Sequence, residues 1–232
     1  MYIVYQPIVS LPGLETVGYE ALARFEGGQS ADEAFKAAWH NGNGVELEAE
    51  AIQMAIQNFP HEINDSYLAI NASAKTIIAL RGELTKDPGL EISWPKLVIE
   101  ISEKDKVEDY QLLDESLSLL RQRKVRLGVD DLGAGFSGLA HMLQVLPDFL
   151  KIDRVLIQHI EENPIKRAIV RAVVALARDV RSTVVAEGIE TNEEKKWCIG
   201  LGVDCGQGYL FGKPEPFSAV PIEPISKTAR LE

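Results

Sequence analysis

Residues 97–131 read LVIEISEKDKVEDYQLLDESLSLLRQRKVRLGVDD, and this stretch decides the fold class of the chain. The runs LVIEIS (97–102) and VRLGVD (125–130) are short and apolar, as is typical of buried strands. Between them, DYQLLDESLSLLRQR (109–123) has the apolar spacing of an amphipathic helix. A strand, a helix and a strand in this order predict a βαβ unit with two parallel strands.

The same alternation continues along most of the chain. Eight strand-like runs in 232 residues favour a closed (β/α)8 barrel of the TIM type over an open doubly wound sheet, which remains the alternative. We expect one α/β domain over residues 1–232, with the barrel over about 3–218 and a C-terminal tail over 219–232. The other strand-like runs are YIVYQPIV (2–9), VGYEALA (17–23), YLAIN (67–71), FLKID (149–153), TVVAE (183–187) and GVDCGQGYL (202–210). The other helical patterns are VELEAEAIQMAIQNF (45–59), PIKRAIVRAVVALARDV (164–180) and NEEKKWCIGLG (192–202).

The first two strand-like runs break the alternation, because only SLPGLET (10–16) separates them. This segment is too short for a helix and is rich in turn-forming residues, so it predicts a β-hairpin. We therefore expect the first strand of the barrel to run antiparallel to the second.

Composition and charge restrict the partners of the chain. Its formal net charge of −11 argues against DNA as a partner, although bound cations can still let an acidic protein bind an anionic substrate. The chain has no run of about 18 apolar residues and no basic leader, so we expect a cytoplasmic location and no membrane contact from this segment. Cys198 and Cys205 match neither a redox nor a zinc spacing, and we expect both to be reduced. A first strand that begins almost at Met1 is compatible with an upstream sensor or regulatory domain.

Charged and amide side chains stand at the carboxyl ends of most of the predicted strands. In parallel α/β folds these ends meet at one rim, where ligands bind. A single such residue is typically a helix cap or a solvated loop group, but a set that favours glutamate and includes a lysine does not fit capping. We therefore predict a site at this rim. Its residues are Glu20, Asn71, Glu100, Asp130, Asp131, Lys151, Asp153, Glu187 and Gln207.

The ligand types at this rim predict hard divalent cations. Carboxylates in contact raise one another's pKa unless a cation lies among them. Oxygen ligands without histidine or cysteine suit Mg²⁺, Mn²⁺ or Ca²⁺, and the adjacent Asp130 and Asp131 would let one carboxylate bridge two ions about 3.5–4 Å apart. Lys151 would then orient a water or stabilise an oxyanion. The spacing alone indicates a metal-dependent reaction on an anionic substrate and does not name that substrate.

Gly133, Gly135 and Gly138 follow the two aspartates, and glycine loops after strands often bind phosphate through backbone N–H groups. Asp130 and Asp131 at the start of such a loop would repel a phosphate. Either the aspartates face away, or positive charge lies between them and the anion.

At these residues the chain resembles the EAL-domain cyclic di-GMP phosphodiesterases, and the resemblance covers nearly the whole length. The signature tripeptide is Glu20-Ala21-Leu22, continued by Arg24. The triplet alone is a weak signal, whereas eight blocks in family order are a strong one. The other blocks are QPIV with Gln6, NAS with Asn71, EISE with Glu100 and Glu103, DDLGAGFS with Asp130 and Asp131, KID with Lys151, EGIE with Glu187 and Glu190, and QGYLFGKP with Gln207.

The resemblance implies a TIM-type barrel and hydrolysis of one phosphodiester of cyclic di-GMP to the linear dinucleotide pGpG, with two Mg²⁺ or Mn²⁺ ions. It implies that one ion is held by Glu20, Asn71, Glu100 and Asp130, and the second by Asp130, Asp131 and Glu187. The nucleophile would be a water between the ions, hydrogen-bonded to Lys151, with Gln207 nearby. Glu187 and Gln207 are assigned to catalysis along with Lys151, and the substrate-binding residues are Gln6, Leu22, Arg24 and Gln207. We expect Ca²⁺ to be inhibitory, because it tolerates looser geometry than Mg²⁺.

Residues around the ligands would hold the loop that follows the aspartates. Glu103 is similar to the glutamate that secures this loop, acting through Ser137, and Glu190 would play a similar part. Asp153 is expected beside the metal ligands. Leu132 stands where the family more often has phenylalanine. This difference would loosen the packing of the loop and so affect activity or dimerisation. The family's barrels often pair through elements near residues 133–146, so we expect a homodimer.

Three functions are compatible with this pattern. The first is an active cyclic di-GMP phosphodiesterase, and the second is a receptor or regulatory module of the same fold that hydrolyses the nucleotide poorly. The third is an unrelated Mg²⁺-dependent barrel acting on a carboxylate or a sugar phosphate. Since every ligand implied by the resemblance is present in the sequence, the active enzyme is favoured.

Overall fold

Short apolar runs rich in β-branched residues form eight strands, which close into a barrel in sequence order. The computed structural model describes residues 1–60, 66–81, 96–105, 107–133 and 145–217. The predicted closed barrel is confirmed, and the open sheet is wrong. The strands are β1 (Tyr2–Ser10), β2 (Thr16–Arg24), β3 (Tyr67–Asn71), β4 (Leu97–Ser102), β5 (Arg126–Leu132), β6 (Phe149–Ile152), β7 (Thr183–Ala186) and β8 (Cys205–Gln207).

The first strand runs against the rest of the barrel. β1 pairs antiparallel with β2 on one side and with β8 on the other, while the pairs from β2 through β8 are parallel. The turn closes through two backbone bonds, from Ser10 N to Glu15 O at 2.9 Å and from Leu14 N to Ser10 O at 2.8 Å. The predicted hairpin is therefore confirmed.

Helices cover the outside of the barrel. The four predicted helical patterns are confirmed as α2 (Gly44–Gln57), α4 (Tyr110–Gln122), α6 (Pro164–Val180) and α7 (Asn192–Leu201). Three further helices among the described residues were not predicted: α1 (Ala31–His40), α3 (Ala74–Leu80) and α5 (Arg154–Ile157). A short 3₁₀ helix spans Glu26–Gly28. None of the helices among the described residues is both long and apolar enough to cross a membrane.

The barrel strands bury their two faces in different layers. Outward residues such as Leu68 and Ile99 join a large core with helix residues, including Ile52 and Leu113. The inward residues form a smaller apolar cluster that contains no helix residue within the described chain. This cluster comprises Ile8, Tyr67, Ala69, Val98, Phe149, Val185 and Cys205.

The polar rim stands directly above this inner apolar cluster. Because side chains alternate along a strand, the residue two positions after an inward apolar residue also faces the barrel interior. Ala69, Val98, Phe149, Val185 and Cys205 are followed at this spacing by Asn71, Glu100, Lys151, Glu187 and Gln207. On the reversed β1 the order is inverted, so Gln6 stands two positions before Ile8 and pairs with Glu20. The fold thus gathers these side chains at one end of the barrel.

Candidate active site

A buried ammonium group occupies the centre of the rim. Lys151 on β6 is fully buried, and its Nζ contacts four carboxylates. Because an unpaired buried charge is very costly, these carboxylates are what keep the lysine in its position. The distances from Nζ are 2.8 Å to Glu187 Oε1, 2.9 Å to Glu100 Oε2, 3.3 Å to Glu20 Oε2 and 3.3 Å to Asp130 Oδ1.

Amide side chains hold Glu20 from two sides. Asn71 Nδ2 donates to Glu20 Oε1 at 2.8 Å, and Gln207 Nε2 donates to Glu20 Oε2 at 2.6 Å. Gln207 Nε2 also donates to Gln6 Oε1 at 3.0 Å, and Gln6 Nε2 in turn donates to the carbonyl of Gly212 at 3.1 Å. The Glu20 carboxylate is therefore fixed in orientation by strands on both sides of β2.

The tandem aspartates point to different neighbours. Asp131 has a left-handed backbone (φ 61°), and its N–H donates to Asp130 Oδ1 at 2.8 Å. Asp130 contacts Lys151, whereas Asp131 Oδ2 accepts from Lys104 Nζ at 3.0 Å and from Ser102 Oγ at 3.2 Å. This backbone turn is what allows two successive side chains to serve one site, since ordinary strand alternation would send them to opposite faces.

Four carboxylates around one ammonium cannot all be ionised at low cost. Burial raises the pKa of Glu100 well above its ordinary value. Repulsion from Glu20 and Asp130 acts in the same direction, and the attraction of Lys151 offsets only part of the rise. Burial likewise raises the pKa of Glu187 to about 8. Burial lowers the pKa of Lys151, but the surrounding carboxylates outweigh that effect and raise it well above its ordinary value. Lys151 therefore stays charged, while part of the carboxylate cluster holds protons.

Glu20 and Asp131 behave differently from the rest of the cluster. Burial disfavours the charged form of Glu20, but the attraction of Lys151 and the hydrogen bonds from Gln207 and Asn71 lower its pKa overall. Burial also opposes ionisation of Asp131, and the hydrogen bond and charge of Lys104 lower the pKa of that carboxyl overall. Both groups are thus anionic near neutral pH.

The carboxylate oxygens form two groups that share one residue. Oxygens of Glu20, Glu100 and Asp130 lie within 4.8 Å of one another, and so do oxygens of Asp130, Asp131 and Glu187. These are hard oxygen donors, which suit Mg²⁺, Mn²⁺ or Ca²⁺. The ammonium of Lys151 already lies within 3.3 Å of both groups, which marks this place as one that holds positive charge. The residues present therefore fit divalent cations.

Of the residues predicted to bind substrate, Gln207 contacts Glu20 within this cluster, and the others lie beside it on the same edge of the barrel. Leu22 and Arg24 are partly exposed near the end of β2, and Arg24 Nη1 donates to the carbonyl of Ala23 at 2.9 Å. Gln6 is buried and joins the cluster through Gln207. The predicted Ser137 lies outside the described residues.

The supporting residues have distinct environments. Glu103 is 1% exposed, and its Oε2 accepts from Gly133 N at 3.4 Å, just after the aspartates. Its other oxygen has no hydrogen-bond partner among the described residues. Asp153 caps α5 by accepting from Val155 N at 2.7 Å. Leu132 is buried in the outer core.

Glu190 is exposed. The buried carboxylate near it is Glu194, which lies in the first turn of α7. Glu194 accepts backbone hydrogen bonds from Glu190 at 2.8 Å and Thr191 at 3.1 Å with Oε2, and from His159 at 3.0 Å with Oε1. Glu194 therefore ties the loop after Glu187 to the segment after α5. Its sequence signal is the capping box formed by Thr191 and Glu194.

Sequence reasoning also missed Ser102 and Lys104, the two donors to Asp131. Ser102 had a usable signal, because it stands two residues after Glu100 on the same strand face. Lys104 had none, since it lies beyond the end of β4, where alternation no longer predicts direction.

Comparison with known proteins gives the family. The chain matches the family model described as "EAL domain" over residues 1–214. The cyclic di-GMP phosphodiesterase PdeF of Escherichia coli (strain K12) is 28% identical over 240 residues, covering 98% of this chain and 32% of PdeF. The cyclic di-GMP phosphodiesterase RocR of Pseudomonas aeruginosa is 29% identical over 229 residues, covering 91% of this chain and 57% of RocR. The chain thus spans less than two thirds of the length of these curated relatives.

A solved structure agrees in fold. Klebsiella pneumoniae BlrP1, in a complex with calcium and cyclic di-GMP, matches with a TM-score of 0.81 and 31% identity, covering 92% of this chain and 55% of that chain. The family match covers all eight strands of the barrel, from β1 through β8. The chain therefore belongs to the EAL domain family.

Proposed function

We propose that this chain hydrolyses cyclic di-GMP to linear pGpG with two divalent cations. The observation that carries the proposal is the pair of oxygen groups that share Asp130 at the rim of an EAL-family barrel. Relatives named as cyclic di-GMP phosphodiesterases support the choice of substrate. The complex of BlrP1 with calcium and cyclic di-GMP supports a site that takes a metal and the nucleotide together.

The chain's own residues divide into two ligand sets. Bound Mg²⁺ or Mn²⁺ would supply Lewis-acid stabilisation of the phosphate oxygens and would lower the pKa of a bound water. Asp130 belongs to both sets, which is why its side chain must stand between them. Glu20, Asn71, Glu100 and Asp130 would hold one ion, and Asp130, Asp131 and Glu187 would hold the other.

Lys151 and Gln207 act on the reacting water. With cations bound to the carboxylates, the Lys151 ammonium would donate a hydrogen bond to that water and position it for attack on the phosphorus. Gln207, already fixed by Gln6 and Glu20, offers a further polar contact beside it. The water oxygen bonds to phosphorus, the P–O3′ bond breaks, and the 3′-oxygen leaves with a proton, which yields a linear dinucleotide with a 5′-phosphate.

Substrate binding falls to side chains around the cluster. Arg24 is partly exposed at the end of β2, where its guanidinium can pair with a phosphate. Leu22 and Gln6 face the same edge and line the nucleotide groove. The positive charge that meets the phosphate is thus supplied by bound ions and Arg24, so the aspartates need not face away from it.

The proposal is tested by incubating the chain with cyclic di-GMP and Mg²⁺ or Mn²⁺ and separating the products by chromatography. We expect pGpG to accumulate, and to be absent when EDTA replaces the metal. A chain that binds the nucleotide without forming pGpG would instead be a receptor module. A chain that neither binds nor cleaves it would overturn the proposed substrate.

We predict that Ca²⁺ binds the same carboxylates without supporting turnover. Ca²⁺ takes six to eight oxygen ligands at longer distances than Mg²⁺, so it holds water and substrate less tightly in the in-line geometry. In assays with Mg²⁺, added Ca²⁺ should lower the rate, and excess Mg²⁺ should restore it. Hydrolysis in Ca²⁺ alone at a rate close to that in Mg²⁺ would contradict this account.

We predict that cation binding releases protons near neutral pH. Burial raises the pKa of Glu187 to about 8, so below that pH the metal-free protein holds a proton that a cation must displace. Cation affinity should therefore rise with pH up to about 8 and then level off. The same raised pKa makes the metal-free protein less stable as the pH rises from about 4.5 to 8. In this range the folded state binds a proton that the unfolded state has lost, so raising the pH favours unfolding.

Calorimetric titration of Mn²⁺ in buffers of different ionisation enthalpy measures this release directly. At pH 7 the apparent binding enthalpy should change with the buffer, and at pH 9 much less so. The Glu187→Gln variant should show a smaller change of the apparent binding enthalpy with the buffer. Equal apparent enthalpies in all buffers at pH 7 would show that no proton is displaced.

A further inference from the structure

Lys104 contacts one of the proposed metal ligands in a way that the catalytic scheme does not use. Its Nζ lies 3.0 Å from Asp131 Oδ2, and its side chain is 55% exposed compared with 31% for Asp131. Its backbone N–H donates to Ser102 Oγ at 3.2 Å, and Ser102 Oγ donates to the same Asp131 oxygen. The lysine is therefore placed by the end of β4 rather than left to extend freely into solvent.

This contact makes the two oxygen groups electrically unequal. Of the residues that the structure describes, the group of Glu20, Glu100 and Asp130 faces one ammonium, that of Lys151. The group of Asp130, Asp131 and Glu187 faces Lys151 and also Lys104. Three carboxylates in each group are thus opposed by one positive charge in the first and by two in the second.

We propose that Lys104 competes with the cation held by Asp130, Asp131 and Glu187, and so sets the cation concentration at which this second group fills. The inference rests on the proposed function, because it assigns a cation to that group. Lys104 is 55% exposed, and a lysine ammonium in contact with water keeps its charge at neutral pH. The competing charge is therefore present throughout the neutral range.

Ser102 allows the charge of Lys104 to be separated from any orienting role. Both donors bind Asp131 Oδ2, so Ser102 continues to hold the carboxylate when Lys104 is replaced by a neutral side chain. Asp131 also keeps its backbone turn and the bond from its N–H to Asp130. A neutral residue at 104 should thus remove a repelling charge while the ligand stays in place.

The experiment titrates Mn²⁺ into metal-free wild type and Lys104→Gln by calorimetry, with bound Mn²⁺ counted by electron paramagnetic resonance and without substrate. Wild type should bind two ions, the second more weakly. In Lys104→Gln the second ion should bind about three- to tenfold more tightly, a modest factor because the lysine is exposed and screened. Lys104→Arg keeps the charge and should resemble wild type.

Lys75→Gln is the matched control. Lys75 is 51% exposed and pairs at 3.0 Å with Glu108, which is 77% exposed and belongs to neither oxygen group. This variant makes the same change in net charge and should leave both Mn²⁺ affinities within about twofold of wild type. If it tightens the second ion as much as Lys104→Gln does, the effect is one of overall charge and the proposal fails.

Salt provides an independent check on the mechanism. Because repulsion between exposed charges is screened, the difference between wild type and Lys104→Gln should shrink as the salt concentration rises from about 0.05 M to 0.5 M. Equal or weaker second-ion binding in Lys104→Gln would overturn the inference and make Lys104 a positioning residue. Failure of wild type to bind two Mn²⁺ ions would overturn the proposed metal site itself, which is a separate outcome.

Discussion

Replacing Glu20 by alanine is expected to lower the rate of cyclic di-GMP hydrolysis by about 10²–10³-fold or more. Glu20 accepts hydrogen bonds from Asn71 and Gln207 and pairs with Lys151, so its loss removes a proposed ligand and one acceptor of each of these three donors. The measurement is the initial rate of pGpG formation at saturating Mn²⁺. A rate within tenfold of wild type would contradict the assignment of Glu20 as a metal ligand.

Two further variants show whether the loss is specific. Glu20→Gln keeps an oxygen acceptor and the side-chain volume but removes the charge, so it should retain the fold and still lose most activity. Glu108→Ala makes the same substitution at an exposed glutamate that pairs with Lys75, and it should keep the wild-type rate within about twofold. Unfolding transitions in EDTA should show that both glutamine and alanine at position 20 leave a folded barrel.

Replacing Lys151 by methionine is expected to destabilise the metal-free fold by about 3–5 kcal/mol and to abolish hydrolysis. The methionine fills a similar volume but leaves the carboxylates of Glu20, Glu100, Asp130 and Glu187 without their shared cation. Mn²⁺ should then restore more stability to the variant than to wild type, because the ion replaces the missing charge. Urea denaturation in EDTA and in Mn²⁺ gives both free energies of unfolding.

The pH dependence of this variant gives a second readout. Without Lys151 the carboxylates repel one another more strongly, so protonation relieves them and the loss of stability should be smaller at pH 5 than at pH 8. Lys36→Met removes an exposed lysine that pairs with Asp32 at 2.7 Å, and it should cost less than about 1 kcal/mol at either pH. If Lys151→Met is as stable as wild type in EDTA at pH 8, the cluster is not held by this lysine.

The parts of the fold that follow from local apolar pattern were predicted correctly. The eight strands are continuous apolar runs because both faces of a barrel strand are buried, which makes them conspicuous. The short polar link between β1 and β2 also sufficed to predict that β1 is reversed. The rim residues followed, since Asn71 and Glu187 stand where a strand meets its loop and Glu100 stands near the end of β4.

The parts that depend on tertiary contacts were not predicted. Helix α1 was missed although Ser30 and Glu33 form a capping box at its start, because the residues that it buries are the small Ala34 and Ala38. The pairing of Lys104 with Asp131 needs the left-handed turn at Asp131, which a residue pattern does not reveal. The buried carboxylate Glu194 was also not predicted, because its burial depends on the neighbouring segment at His159.

The reversed direction of β1 has a practical consequence for anyone who labels or fuses this protein. Tyr2 pairs with Arg24, so the amino end of β1 lies beside the end of β2 that carries a proposed substrate-binding residue. In a barrel of eight parallel strands, the amino end of the first strand would lie at the opposite opening. An affinity tag joined ahead of Met1 would thus emerge next to the proposed substrate-binding residue Arg24. Its removal before binding measurements is advisable.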